Sequence, residues 1–205
     1  MSQSTETLKN DIAFVADLAR EGAKPTYAGG EFLLFCGLLF GGTSFAVAAN
    51  LAGYLPVTMD YLWLGAMVLF AIGLPILIWR SKRANTYRMI GDRAVGQAWT
   101  AIGWAIFVIA VSIGVVSWQL KSPNLVWLFA PIILALYGVG WSVSATLSDR
   151  TFAKVLAAGA FVAAVVVAFL VKWPAVMFTA YGVALILLAA VPGVIWMRIR
   201  AQARG

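Results

Sequence analysis

The sequence predicts an all-α integral membrane protein: a bundle of six transmembrane helices preceded by a short amphipathic cytoplasmic helix. Three observations lead to this fold class. Of the 205 residues, 62% are hydrophobic and only 11% are charged, and the mean hydropathy is +0.91. A soluble domain of this size needs many more polar residues to cover its surface. The apolar residues also form six runs, with most of the charged residues between or beside them.

Each apolar run is long enough for one membrane span. A helix needs roughly 20 residues to cross about 30 Å of hydrocarbon, so six spans and their connections occupy nearly the whole chain. No room remains for a separate soluble catalytic domain. The short connections predict that consecutive helices are antiparallel neighbours. The runs are residues 31–51, 61–79, 97–118, 125–144, 152–171 and 175–197.

Residues 5–21, before the first run, have the pattern of an amphipathic helix. Gly22 and Pro25 are expected to end it, because glycine readily adopts the conformation that terminates helices and proline cannot continue one. Two roles are open: the helix packs beneath the bundle, or it docks a partner or senses the membrane surface. Its apolar face carries Leu8, Ile12, Val15 and Ala19.

The distribution of basic residues predicts the orientation. Of the 15 Lys and Arg residues, only Lys121 and Lys172 fall on one side of the six-span arrangement, and the other 13 fall on the opposite side. By the positive-inside rule, that side and both termini lie in the cytoplasm. The chain then divides into a cytoplasmic helix and linker (1–28), a transmembrane domain (29–198) and a basic cytoplasmic tail (199–205). This rule explains the net charge of +7 without nucleic-acid binding.

Tryptophan positions support the predicted boundaries, because indole prefers the headgroup level, where its N–H group can reach water. Trp141 lies about one turn inside the inner boundary, and only Trp104 lies deeper. The others lie at the outer ends (Trp63, Trp118, Trp127 and Trp173) or the inner ends (Trp79, Trp99 and Trp196) of their spans.

Glycine-containing patterns recur between spans and predict close packing or internal repetition. Small residues spaced four apart let helix backbones approach each other in a membrane. Such pairs are Gly37 and Gly41, Ala110 and Gly114, Gly140 and Ser144, and Gly159 and Ala163. Longer patterns also recur with the same spacing. Gly65, Pro75 and Trp79 of the second span match Gly182, Pro192 and Trp196 of the sixth. Gly30, Glu31 and Gly37 of the first span match Gly96, Gln97 and Gly103 of the third. These matches suggest three related antiparallel hairpins, with chance recurrence as the alternative.

The sequence offers no pattern typical of an enzyme, a metal centre or a cofactor site. It has one cysteine, Cys36, and no histidine, so the usual zinc, haem and imidazole-base sites are absent. Nucleophile elbows, phosphate loops and paired catalytic carboxylates are also absent. Cys36 lies in an apolar run that disfavours the reactive thiolate, and we interpret it as a packing residue.

Polar residues give two candidate sites. Glu31 is the only acid at the edge of a span, where it either stabilises a helix N-terminus and pairs with Arg93 or Arg88, or couples protons or cations. The basic loop either marks topology or binds anionic lipid headgroups or a partner. The loop's basic residues are Arg80, Lys82, Arg83, Arg88 and Arg93. Within the spans, we expect hydrogen bonds either to neighbouring helices or to the residues' own backbone from Thr43, Ser44, Thr100, Ser112, Ser142 and Thr179.

Residues 11–41 and 91–107 resemble small six-span proteins of the bacterial inner membrane whose activities are uncharacterised. The resemblance implies a bacterial plasma membrane and a full-length native chain, and it implies no activity. From the residues we expect a non-enzymatic accessory, sensor or assembly component. The alternative is a small transporter or channel for an uncharged or amphipathic solute. Besides the lipid bilayer and its headgroups, a protein partner or a homo-oligomer is open.

The orientation can be tested with a reporter that is active only outside the cytoplasm. Because 13 of the 15 basic residues lie on one side, we expect no activity when the reporter follows Gly205. We expect activity when it is inserted near Pro56. The reverse pattern would overturn the predicted topology.

Overall fold

The structure is a computed structural model. It describes residues 10, 12–14, 29–83, 90–148 and 151–202. For residues 82–83, 90–93 and 200 it describes the backbone alone. All regular secondary structure in these ranges is helical. The α-helices are α1 (Gly30–Leu51), α2 (Met59–Arg83), α3 (Ile90–Gln119), α4 (Phe129–Ser148), α5 (Thr151–Phe169), α6 (Pro174–Leu185) and α7 (Val191–Gln202). Short 3₁₀ helices at Pro123–Leu128 and Leu170–Lys172 flank α4 and α5, and a π-helical turn at Ile186–Ala190 joins α6 to α7.

The predicted all-helical class with six spans is confirmed. Six helical segments of 22 to 26 residues are long and apolar enough to cross a membrane. The sixth, Pro174–Ile199, combines α6, the π-helical turn and most of α7, and we call it the sixth span. The predicted N-terminal amphipathic helix is described only at residues 10 and 12–14, which are helical. Leu8, Val15 and Ala19 of its apolar face lie outside the described residues.

The spans form a packed centre with two peripheral helices. The most extensive contacts join α4 to α5 and α1 to the sixth span. The main contact of α2 is with α1, and that of α3 is with α4. Only 6% of the apolar stretch of α2 and 11% of that of α3 are buried within the protein, against 56% for the sixth span. Most of the surface of α2 and α3 therefore faces outward.

Glycines bring α1 into backbone contact with the sixth span. A Cβ atom on Gly37 would lie 2.9 Å from the Cα atom of Ala190, and one on Gly30 would lie 2.8 Å from the carbonyl oxygen of Gly193. Gly41 lies against Ile186 in the same interface. Without a hydrophobic force between helices in lipid, such close approach is a main source of packing energy. The expected packing role of Gly37 and Gly41 is confirmed.

The other small-residue pairs differ in their contacts. Gly140 packs against the side chains of Ile102 and Trp99 on α3, and Gly159 lies in ordinary contact with Leu188. Gly114 is different, because a Cβ atom there would have no neighbour within 4 Å among the described residues. The spacing of small residues alone therefore does not identify which faces are packed within the chain.

Alanine substitution at two glycines of α1 tests the close contact. We expect Gly37→Ala to destabilise the fold by about 1–3 kcal/mol, because the new Cβ atom would overlap the backbone of the sixth span. The matched variant is Gly42→Ala, where a Cβ atom would have none of the described residues within 4 Å. It should stabilise the helix by up to about 1 kcal/mol, since alanine is the better helix former. Thermal unfolding in detergent measures both, and equal effects would contradict the interface.

Candidate functional site

The sixth span is interrupted near its middle, and this interruption creates a hydrogen-bonding problem. The π-helical turn Ile186–Ala190 is followed by Pro192, which is fully buried. Proline has no backbone N–H group, so Pro192 cannot donate to the carbonyl group four residues earlier, that of Leu188. A carbonyl group in hydrocarbon costs several kcal/mol when it is left without a partner.

Trp141 of α4 donates to this carbonyl group. Its Nε1 atom lies 2.9 Å from the oxygen of Leu188, and its side chain is fully buried. The hydrogen bond joins α4 to the interrupted part of the sixth span. Trp141 therefore combines a large packing surface with the donor that the helix geometry demands at this point.

Two further tryptophans pack around Trp141, and we call Trp99, Trp141 and Trp196 the tryptophan cluster. The ring of Trp99 lies 5.5 Å from that of Trp141, and the ring of Trp196 lies 5.3 Å from it, both nearly perpendicular. Edge-to-face pairs at such distances are favourable. The Nε1 atom of Trp99 donates to the hydroxyl group of Ser144 at 3.3 Å. The cluster thus connects α3, α4 and the sixth span.

The burial of this cluster changes the interpretation of its tryptophans. The sequence placed Trp99 and Trp196 at the inner membrane boundary, where indole can reach water. In the structure Trp196 is only 6% exposed, and Trp99 packs against α4. The interfacial interpretation does not apply to Trp196, because its ring is covered by protein. It agrees with Trp118 and Trp173, which are 80% and 60% exposed.

The hydroxyl groups within the spans mostly bond to their own helix. Five of the six predicted residues donate to the carbonyl oxygen four residues earlier at 2.7–2.9 Å, namely Thr43, Ser44, Thr100, Ser142 and Thr179. This confirms their predicted structural role. The sixth, Ser112, lines a shallow groove with Ile113, Val116, Leu125 and Leu128. No acidic residue lines that groove.

Glu31 lies in the first turn of α1 and is exposed. It follows Gly29, whose φ of 97° marks the left-handed conformation that starts the helix. The carboxylate is therefore placed to stabilise the N-terminal end of α1. Its pairing with Arg93 or Arg88 stays a prediction, because the structure describes only the backbone of Arg93, and Arg88 lies outside the described residues.

The basic loop is only partly described. Arg80 is exposed near the end of α2, and Lys82 and Arg83 are described only as helical backbone. The lone Cys36 is a free thiol and is half-buried on α1. Within the described ranges, no group of three or more potential metal ligands occurs.

Sequence reasoning missed the role of Trp141. A signal was present, since Pro192 must leave one carbonyl group of its span without its usual donor. The sequence could not show which helix supplies the replacement. The tryptophan cluster is also uncharged, so it offers packing and hydrogen bonding, and it provides no acid, base or coupling charge.

No protein-family model, curated protein or solved structure matches this chain.

Trp141→Phe tests the hydrogen bond across the interrupted span. Phenylalanine keeps an aromatic ring and removes the donor to Leu188, so we expect a loss of about 1–3 kcal/mol for the unsatisfied carbonyl group. The matched variant Trp118→Phe changes a side chain that is 80% exposed and should cost much less. Thermal unfolding in detergent compares them. Equal losses would show that the donor at position 141 is unimportant.

Proposed function

We propose that this chain is a non-enzymatic multi-pass membrane protein that serves as an accessory, sensor or assembly component. The observation that carries the proposal is that polar groups inside the bundle bond to one another. The indole N–H group of Trp141 donates to the backbone of the sixth span, and that of Trp99 donates to the hydroxyl group of Ser144. A site for a solute needs polar groups that remain available to it. An interior of this kind supports a framework whose working parts lie on its surface.

The working surface in this proposal is the inner side of the bundle. Ile12 and Phe14 of the N-terminal segment are 62% and 64% exposed, and they offer apolar contacts to a partner. Arg80 is exposed near the end of α2. Basic residues at a membrane surface attract anionic headgroups by about 1 kcal/mol each. We place this surface in the cytoplasm of a bacterium, beneath its inner membrane.

The alternative is a small transporter or channel for an uncharged or amphipathic solute. One observation favours it: many transporters build their sites where a membrane helix is interrupted, and the sixth span is interrupted at Ile186–Ala190. Against this, Trp141 already occupies the carbonyl group of Leu188. A solute that binds there has to displace Trp141, whose side chain is fully buried.

Reconstitution into liposomes separates the two functions. For the accessory role we expect no protein-dependent flux of protons or small uncharged solutes relative to empty liposomes. Glu31→Gln should fold normally and lose at most about 1 kcal/mol, since Glu31 is exposed at a helix N-terminus. Protein-dependent flux that Glu31→Gln abolishes without loss of stability would establish the transporter alternative.

A positive test of the accessory role uses crosslinking in cells. A photo-crosslinking phenylalanine analogue replaces Phe14, and the control replaces Tyr54, which is 85% exposed in the connection between α1 and α2. We expect one discrete protein adduct, identified by mass spectrometry, at position 14 and none at position 54. Adducts at neither position, or equally at both, would count against a partner on the inner surface.

A further inference from the structure

A shallow groove of about 210 Å³ lies on the surface of the protein between α3 and the 3₁₀ helix Pro123–Leu128, which packs on α3. All of its lining residues except the small Ser112 are aliphatic. The lining consists of Ser112, Ile113 and Val116 of α3 and Leu125 and Leu128 of the 3₁₀ helix. Val116 and Leu128 are exposed, so the groove is open toward the surroundings of the bundle. Its lining suits an apolar chain that lies along it.

The groove lies just beneath one membrane boundary. Trp118 on α3 is 80% exposed, and its indole group is suited to the headgroup level. Ser112 and Val116 precede Trp118 on the same helix, which places them about 9 Å and about 3 Å deeper at about 1.5 Å per residue. A chain in the groove therefore occupies the depth at which the hydrocarbon of a phospholipid begins.

Lys121 lies in the connection between the two walls of the groove, at the end nearer the boundary. It is exposed, and no carboxylate of the described residues forms an ion pair with it. By sequence position it is one of only two basic residues on this side of the six spans, and the other is Lys172 after α5. The groove thus ends beside an unpaired positive charge.

The backbone at Lys121 has a conformation that favours glycine. The N–H group of Ser122 donates to the carbonyl oxygen of Ser117 at 3.0 Å, and that of Lys121 donates three residues back at 3.3 Å. This type of helix end places Lys121 in the left-handed region, with a φ of 51°. The end of α1 on the same side has the same pair of hydrogen bonds, and there the left-handed residue is Gly53. A lysine at such a position indicates that its side chain has a use.

We propose that the groove and Lys121 bind one phospholipid with an anionic headgroup, such as phosphatidylglycerol, from the outer leaflet. One acyl chain lies along the groove, and the phosphate group lies near the ammonium group of Lys121. Apolar contact retains the chain, and the charge favours a headgroup with net negative charge over a zwitterionic one. The site is separate from the basic loop at the inner end of α2, and it does not depend on the function proposed above.

A fluorophore beside the groove reports on this site alone. It is attached to Val126→Cys in a Cys36→Ala background, since Val126 is 38% exposed next to Leu125 and does not line the groove. Phospholipids with brominated acyl chains quench such a label on contact. In nanodiscs of phosphatidylcholine, we expect brominated phosphatidylglycerol to quench about three- to fivefold more effectively than brominated phosphatidylcholine at equal mole fraction.

Two charge variants test the role of Lys121. Lys121→Gln should reduce the preference to about equal quenching by both lipids, whereas Lys121→Arg, which keeps the charge, should retain the preference. The matched control Lys172→Gln removes the other basic residue of this side and should also retain it. The absence of a preference in the parent protein, or equal losses in Lys121→Gln and Lys172→Gln, would overturn the proposal.

Lys121→Gly separates lipid binding from a structural role. Glycine suits the left-handed conformation, so we expect the thermal midpoint in detergent to stay the same or rise while the preference for phosphatidylglycerol is lost. A purely structural role predicts the same thermal midpoint with the preference intact, and that result would overturn the proposal.

A larger side chain at position 112 tests the groove itself. Ser112→Phe fills the deeper end of the groove, and we expect it to lower quenching by brominated phosphatidylglycerol at least about threefold. The matched control is Val115→Phe, since Val115 is 47% exposed on α3 and does not line the groove. It should leave the quenching unchanged. Equal effects of the two phenylalanine variants would show that the acyl chain does not occupy the groove.

Discussion

Every backbone N–H and carbonyl group inside a bilayer must find its partner within the protein, because lipid chains supply none. The sixth span meets this constraint with the help of another helix, since Pro192 lacks the N–H group that would donate to the carbonyl group of Leu188 in a regular helix. Trp141 provides the replacement from α4. The hydrogen bond fixes the depth and rotation of α4 relative to the sixth span. Trp99 and Trp196 then pack around Trp141, and α3 is held through the same cluster.

The second determinant of the architecture is how closely backbones approach each other. Burial of apolar surface gives little force between helices in lipid, so contact between main chains decides which helices associate. Gly30 and Gly37 permit that contact between α1 and the sixth span, where Gly193 and Ala190 offer small surfaces in return. The α2 helix lacks such contacts on its outward face and stays at the periphery. It is held to α1 through larger rings, with Phe70 against Phe35 and Phe40.

Much of the fold could be predicted from the sequence, because a membrane span is a local property of length and polarity. The six runs became six helices, and the hydroxyl groups of Thr43 and Ser44 bond within α1 as expected. The choice of neighbours is not local. Gly37 and Gly114 belong to similar small-residue pairs, yet a Cβ atom on Gly37 would meet a backbone, and one on Gly114 would meet none of the described residues within 4 Å. The difference depends on what the facing helix presents.

The candidate site shows the same limit at the level of single atoms. In the sequence, Pro192 indicates that one carbonyl group of its span lacks a backbone N–H donor, and the indole N–H group of a tryptophan can replace that donor. Several tryptophans near the inner ends of their spans were equally plausible donors before the fold was known. The indole N–H group can donate a hydrogen bond to water at the headgroup level or to a carbonyl group in the bundle interior. Burial of Trp196 and Trp141 could therefore not be inferred from their positions in the sequence. Glu31 could be placed in the first turn of α1, because helix starts have local signals.

Close packing between helices explains the glycines of α1, but it does not explain those of α3. A glycine in a helix costs roughly 1 kcal/mol relative to alanine. At Gly37 close packing against Ala190 offsets this cost. At Gly96 and Gly103 no atom of the described residues comes near enough to do so. Gly96 and Gly103 have the spacing of Gly30 and Gly37, but the facing surface that makes Gly30 and Gly37 useful is missing beside them among the described residues. The energetic value of a glycine in a membrane helix therefore depends on the neighbouring backbone, and the spacing of glycines along one helix does not determine it.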